Sequence, residues 1–230
     1  MKKHYYLVLD TETANTLDDP FFYDIGFAVC DRKGNIYEQH SYVNAEVFFG
    51  EQDLMQSAYY AEKIPQYYEE IKAGTRKVAN LYTIRQEILA IFKRYNIRAV
   101  CAYNASFDCR ALAKTYRYST KSKYRYFLPY GVEVFDIWHM ACQAICNTDK
   151  YRKFCEKNGY FSPSGNYLTN AEIVYRFITK NEGFKEAHTG LKDALIESAI
   201  MAECYRKHMK LDRKINKGCW RIPQRKRKAE

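Results

Sequence analysis

The chain has 230 residues, with 37 Lys and Arg against 27 Asp and Glu and a formal net charge of +10. Hydrophobic residues make up 47% and charged residues 28%, which excludes a wholly disordered or collagen-like chain and supplies apolar surface for a sizeable core. No apolar run approaches the roughly 18 to 20 residues needed to cross a bilayer, and the opening MKKHYYLVLDTET reaches acids too early for a signal peptide, so the expectation is a cytoplasmic protein with no membrane partner.

Residues 5–9 are an unbroken apolar run that leads into Asp10-Thr11-Glu12, which predicts a buried strand with acids at its C-terminal end. Strands at 21–30 and 36–43 flank the turn Asp31-Arg32-Lys33-Gly34-Asn35, a hairpin signal. The stretch 51–74 is polar and helical in flavour, broken by Pro65, whereas Leu81, Ile84, Ile88, Ile91 and Phe92 keep a helical period. A strand at 99–103 leads into a helix over 106–116, and a strand at 132–135 leads into a helix over 136–146. Helices over 168–179 and 191–208 follow, the last with Leu191, Ala194, Leu195, Ser198, Ala202 and Tyr205 along one face. Three consecutive strands and then helix-strand alternation predict an α/β fold, a mixed sheet of about five strands with the first three antiparallel, flanked by helices.

Eight scattered cysteines without framework spacing read as reduced thiols. His139, Cys142, Cys146 and Cys155 are the best zinc candidates, but the three-residue gap between Cys142 and Cys146 and the lack of a second close pair favour buried small side chains. The 22 tyrosines suggest base stacking, although compositional bias of the genome explains their total more simply. Before Val132, basic Lys114, Arg117, Lys121, Lys123 and Arg125 interleave with Tyr116, Tyr118, Tyr124 and Tyr126. The pattern suits a nucleic-acid backbone and exposed bases, or equally a solvated basic loop. From residue 207 onward the chain carries +8, so the preceding 206 residues carry only +2. The division expected is a domain over 1–209 and a basic, flexible tail over 210–230 that can bind polyanions.

Side chains alternate along a strand, so Asp10 and Glu12 project from one face, about 6.5 to 7 Å apart, and can converge on divalent ions. An Asp-x-Glu triplet is by itself weak, since about one arises by chance in a chain of this length. Its place at the end of a very hydrophobic strand is what counts, because an unpaired carboxylate there is penalised. Asp108 sits on the opening turn of a helix, where capping is the bland explanation. His188 and Asp193 are five residues apart, about 500° along a continuous helix, which would leave them roughly 140° apart. They can share a site if His188 precedes the helix, with Thr189 as N-cap and Gly190 as a break.

Taken together, LVLDTETAN, YNASFD and HTGLKDA resemble, in order and spacing, the three motifs of the DEDDh branch of the DnaQ-like (ribonuclease H-like) 3′→5′ exonucleases. The resemblance spans residues 4–207, and DIGFAV and VEVFDIWHMA look like further strands of that fold. It implies Asp10, Glu12, Asp108 and Asp193 as metal-binding carboxylates, His188 as general base, Asn104 supporting the site, and Phe107 with Thr11 and Thr13 near the terminal nucleotide. Lys121, Lys123 and Arg125 are added as substrate contacts. Four carboxylates, about −4 of charge in one cleft, imply two Mg²⁺ or Mn²⁺ ions. The partners implied are single-stranded nucleic acid or 3′ ends, DNA ahead of RNA, and a polymerase or another replication or repair protein. A catalytically silent nucleic-acid-binding module of the same fold and an oligoribonuclease-like phosphodiesterase on very short substrates are the alternatives. Region 51–74 and the basic tail fall outside the motifs.

Overall fold

The computed structural model describes residues 4–121, 123 and 126–224. Its centre is a mixed sheet of β1 (Tyr6–Asn15), β2 (Pro20–Cys30), β3 (Ile36–Asn44), β4 (Lys77–Ala79), β5 (Ala99–Ala102) and β6 (Glu133–Asp136), in the order β4-β3-β2-β1-β5-β6. The pairs β1–β2 and β2–β3 are antiparallel, while β1–β5, β3–β4 and β5–β6 are parallel. The expected α/β architecture is present, with the first three strands antiparallel. The additional strand is β4, a three-residue piece with no alternation to announce it, held by pairing with Tyr42–Asn44.

The helices are α1 (Ala45–Phe48), α2 (Gln52–Met55), α3 (Ile64–Lys72), α4 (Leu81–Tyr95), α5 (Ala105–Thr120), α6 (Ile137–Ala141), α7 (Asp149–Asn158), α8 (Ala171–Thr179) and α9 (Gly190–Arg206). Asn80 opens α4 by accepting from Thr83 N, and Asn96 closes it in the left-handed conformation. Helix α7 escapes the sequence pattern because it is strongly charged and buries only Tyr151 and Cys155, one turn apart. The helix over 136–146 is α6 followed by a turn of π-helix at Cys142–Cys146.

Alternation in β1 divides the core into two layers. Tyr6 and Val8 face α6, α8 and α9 through Ile137, Met140, Val174, Ile200 and Met201. Leu7 and Leu9 face α4 and α5 through Ile84, Ile88, Ile91 and Leu112. Helix α9 does not follow the single apolar stripe expected: residues from Gly190 to Cys204 are buried around most of its circumference, so it is a central helix.

Residues 212–224, expected within a flexible extension, lie against the domain. Asp136 N donates to Arg213 O at 2.9 Å, which adds a bond to the free edge of β6. His139 Nδ1 lies 2.8 Å from Lys214 O, Gln143 Nε2 donates to Asp212 O, and Cys219 is fully buried. The boundary at 209/210 therefore falls inside one packed body. The attachment uses backbone carbonyls and buried polar groups of the domain, which a count of tail charges does not reveal. The run Arg225 to Lys228 lies outside the described residues.

All eight cysteines are free thiols. His139, Cys142, Cys146 and Cys155 are not among the described groups whose ligand atoms converge within 4.8 Å. Among the described residues, no helix is long and apolar enough to cross a membrane.

Candidate active site

Strand β1 runs past its acids to Asn15, so Asp10 and Glu12 are not at its end. What ends is its parallel pairing with β5, which covers only Tyr6 to Val8. Beyond Val8 the chain of β5 turns away into α5 and leaves a cleft beside Asp10 and Glu12. The register with β2 shifts between Glu12 and Thr13, a bulge of the kind that re-aims side chains beside functional sites.

Three elements bring the expected acids into that cleft, whose volume is about 670 Å³. Asp10 and Glu12 come from β1, Asp108 from the first turn of α5, and Asp193 from the first turn of α9. Carboxylate oxygens of Asp10, Glu12 and Asp193 lie within 4.8 Å of one another. Asp108 Oδ1 accepts from both Thr11 N at 3.1 Å and Thr11 Oγ1 at 2.8 Å, so Thr11 holds this acid in place. Asp193 Oδ2 accepts from Thr189 N at 2.9 Å, while its Oδ1 is buried without a partner among the described residues.

His188 precedes α9, as sharing a site requires, and has a left-handed backbone with φ of 50°. Thr189 is the N-cap in position, but its hydroxyl makes no capping bond. The His188 ring stacks on Tyr60 with centroids 4.2 Å apart and planes 13° apart. Ring and carboxylate atoms of His188, Glu172 and Glu186 also converge within 4.8 Å.

Burial and mutual repulsion dominate the electrostatics. Desolvation, followed by the Asp193 and Asp24 charges, pushes Glu12 up to about 9. Desolvation and Glu186 raise Asp193 to about 8, and desolvation raises Asp108 to about 7 against the Thr11 bonds. Asp10 is raised by burial and by its acidic neighbours, Glu197 first. His188 is lowered, mainly by burial.

Other expected residues have different places. Asn104 and Phe107 line the cleft, Asn104 as the left-handed N-cap of α5. Thr13 is buried outside the cleft lining, and its carbonyl accepts from Tyr59 N. Lys121 closes α5 and Lys123 follows it, about 20 Å along the helix from Asp108 at 1.5 Å per residue. The helix length thus keeps both lysines out of the cleft lining, and Arg125 lies outside the described residues. Asp136 is buried and caps α6 by accepting from Trp138 N and His139 N.

Sequence reasoning missed Glu197, Asp24 and Tyr60. Glu197 lies one helical turn beyond Asp193, lines the cleft, and has Oε2 buried without a described partner; the four-residue spacing was its only signal. Asp24 is fully buried and accepts from Tyr67 Oη at 2.7 Å, from Arg76 Nη1 and from Gly190 N at 2.9 Å. It thereby ties the start of α9 to β2, to Tyr67 in region 51–74, which lies outside the motifs, and to Arg76 just beyond it.

Solved structures that share this fold include exonuclease I enzymes. Escherichia coli exonuclease I in complex with a 5cy-dT13 oligonucleotide superposes with a TM-score of 0.52 at 13% identity, over 90% of this chain and 41% of that one. The zinc-ion-bound form of the same enzyme with single-stranded DNA gives 0.51 at 15%, over 90% and 41%. Exonuclease I from Methylocaldum szegediense gives 0.52 at 14%, over 95% and 42%. The chain thus spans about two fifths of the length of these structural relatives. No family model and no curated protein sequence matches it. The likeness to DnaQ-like exonucleases read from the motifs holds at the level of the fold.

Proposed function

We propose that the protein is a metal-dependent 3′→5′ exonuclease acting on single-stranded nucleic acid, with DNA preferred. The observation that carries this reading is the meeting of Asp10, Glu12, Asp108, Asp193 and His188 in one open cleft. The oligonucleotide complexes of the structural relatives support the substrate class.

The residues present fit divalent cations. Oxygen-only donors suit hard ions such as Mg²⁺ or Mn²⁺, and the unpartnered Asp193 Oδ1 together with the acids' mutual repulsion calls for a counter-charge. Asp10, Glu12 and Asp193 would hold one cation, with Asp108 completing a pair site. Bound there, such ions supply Lewis-acid polarisation of the phosphate and charge stabilisation for the departing 3′ oxygen. Burial keeps the His188 imidazole neutral near pH 7, ready to take the proton of the attacking water. Stacking on Tyr60 fixes the plane of that ring, and Asn104 and Phe107 form a wall against which the terminal nucleotide can rest.

The test is a time course with Mg²⁺ or Mn²⁺ on end-labelled single- and double-stranded DNA and RNA of equal sequence, with a 2-mer beside a 20-mer. Stepwise shortening of single-stranded DNA from its 3′ end, stopped by EDTA, is expected. Binding without shortening would identify a silent module. Cleavage of the 2-mer alone would identify a phosphodiesterase of short products. Either result overturns the proposal.

The acid cluster also fixes a pH dependence. Glu12 and Asp193 have folded values of about 9 and about 8 against ordinary values of 4.5 and 3.8. Raised carboxyls keep their protons in the folded chain after the unfolded chain has lost them. The contribution of these two carboxyls to metal-free stability is therefore full below about pH 4 and is lost as pH rises toward 8 to 9. Melting in EDTA should fall between pH 5 and pH 9. Mg²⁺ or Mn²⁺ should raise Tm more at pH 8 than at pH 5, by about 2 to 4 °C for each 1 kcal/mol of relieved repulsion. Equal metal shifts at the two pH values would contradict the assignment.

A further inference from the structure

The cleft does not stop at the acids. It continues along the turn 162–166 and the segment 167–171 to two indoles, Trp138 at the start of α6 and Trp220 in the segment 212–224. The nuclease motifs account for neither indole. Trp138 is committed to structure, because its Nε1 donates to Thr169 Oγ1 at 2.9 Å. Trp220 differs: it is only partly buried on the cleft wall, and no hydrogen bond among the described residues holds its indole N–H.

The backbone around Trp220 is closely held. Gln224 Nε2 donates to Trp220 O at 2.7 Å and to Tyr167 O at 3.2 Å, while Gln224 Oε1 accepts from Tyr167 N at 2.8 Å. One side chain thus clamps the Trp220 turn to Tyr167, which also lines the cleft. On the preceding side Cys219 is fully buried, and on the following side Arg152 Nε donates to Pro223 O. The Arg221 guanidinium lies 5.2 Å from the centre of the Trp220 ring. Lys214, Lys217 and Arg221 are exposed along the same segment. A firmly mounted aromatic side chain whose N–H has no partner among the described residues, in a cleft also lined by Ser162 and Asn166 and with cations on its own segment, has the chemistry of a base-stacking platform beside a phosphate backbone.

We propose that Trp220 forms a nucleobase-binding subsite of the cleft, on which one base of a single-stranded substrate stacks near the cleaved end. The assignment rests on the reading of the protein as a nuclease of single strands and names a contact outside the metal-binding acids. Stacking on an indole face accepts any base, so the subsite adds affinity and registers the strand without reading its sequence.

The test uses the full chain in EDTA at low salt and a 5′-fluorescein dT20, with binding read by anisotropy. A single abasic nucleotide is moved one position at a time from the 3′ end. In the wild type, one position near that end should weaken binding about tenfold when its base is removed. Trp220→Leu keeps apolar bulk but lacks the aromatic face. It should weaken binding of intact dT20 about tenfold and abolish the penalty at that one position, whereas Trp220→Phe should stay within about threefold of wild type. Thermal melts of the variants report whether the segment is still seated, and the position-specific loss does not arise from unseating. Wild-type binding in Trp220→Leu, persistence of the penalty in that variant, or no binding of dT20 by the wild type would each overturn the subsite. Shortening of the same oligonucleotide by the wild type in Mg²⁺ reports on the nuclease reading separately. Hydrolysis without Trp220-dependent binding sinks the subsite alone, and Trp220-dependent binding without hydrolysis sinks the nuclease reading alone.

Discussion

Asp193→Asn is expected to lower metal-dependent shortening of a labelled oligonucleotide by about a hundredfold to a thousandfold or more, the scale on which a single charge-stabilising group acts in a water-poor site. The substitution keeps size and shape, and the amide oxygen can still accept from Thr189 N, as Asp193 Oδ2 does at 2.9 Å. The backbone before α9, and with it His188, is therefore retained. The loss falls on Oδ1, which has no described partner, in a carboxylate that converges with those of Asp10 and Glu12 within 4.8 Å. The loss should appear in kcat and be only weakly repaired by raising Mg²⁺. A second signature separates this from misfolding: the metal-induced rise in Tm should shrink because one of the proposed anionic ligands has gone. A variant with wild-type kcat would remove Asp193 from the metal site.

Gly26→Ala should be the most damaging conservative change in the sheet. A Cβ on Gly26 would lie 1.8 Å from Leu191 N and 2.1 Å from both Gly190 C and Leu191 Cα. All three are backbone atoms, so no rotamer change relieves the overlap. Gly190 is equally constrained, since its own Cβ would meet Gly26 N at 2.4 Å. The two glycines let the first turn of α9 rest directly on β2, where Gly190 N reaches Asp24 Oδ2 at 2.9 Å. Pushing α9 away breaks that bond and displaces Asp193 from Asp10 and Glu12. A loss of about 4 kcal/mol or more is expected in urea denaturation, in the range of severe core disruption. Gly183→Ala is the matched control. Its added carbon finds only Asn181 Oδ1, at 3.8 Å, and should change stability by no more than about 0.5 kcal/mol.

These two sites also show how much was readable from sequence. The strand carrying Asp10 and Glu12, the helix-start Asp108, and His188 ahead of the last helix follow from local rules of alternation, capping and helical angle, and the structure brings them together. The parts that were not legible depend on distant partners. Asp24 becomes a buried hub only because Tyr67 and Arg76, 43 and 52 residues further on, fold back to it. Glu197 interrupts what reads as a core-facing helix, and only the acids on β1 reveal why a carboxylate stands there. Lys121 and Lys123 looked suited to phosphates by composition, but α5 carries them away from the cleft. The 212–224 segment looked like a solvated tail because its charges dominate its composition. Its anchoring lies in one buried cysteine, one glutamine and a few backbone carbonyls, which no charge count registers.

His188 occupies the left-handed region at φ of 50°, where a side chain with a Cβ is disfavoured by about 1 to 2 kcal/mol and glycine is not. Glycine there would relax the backbone while removing the imidazole. A library of variants at this position, sorted once for folding and once for hydrolysis, would therefore rank its members in opposite orders. Position 188 is therefore where a requirement of the proposed hydrolysis can be told apart from a requirement of the fold.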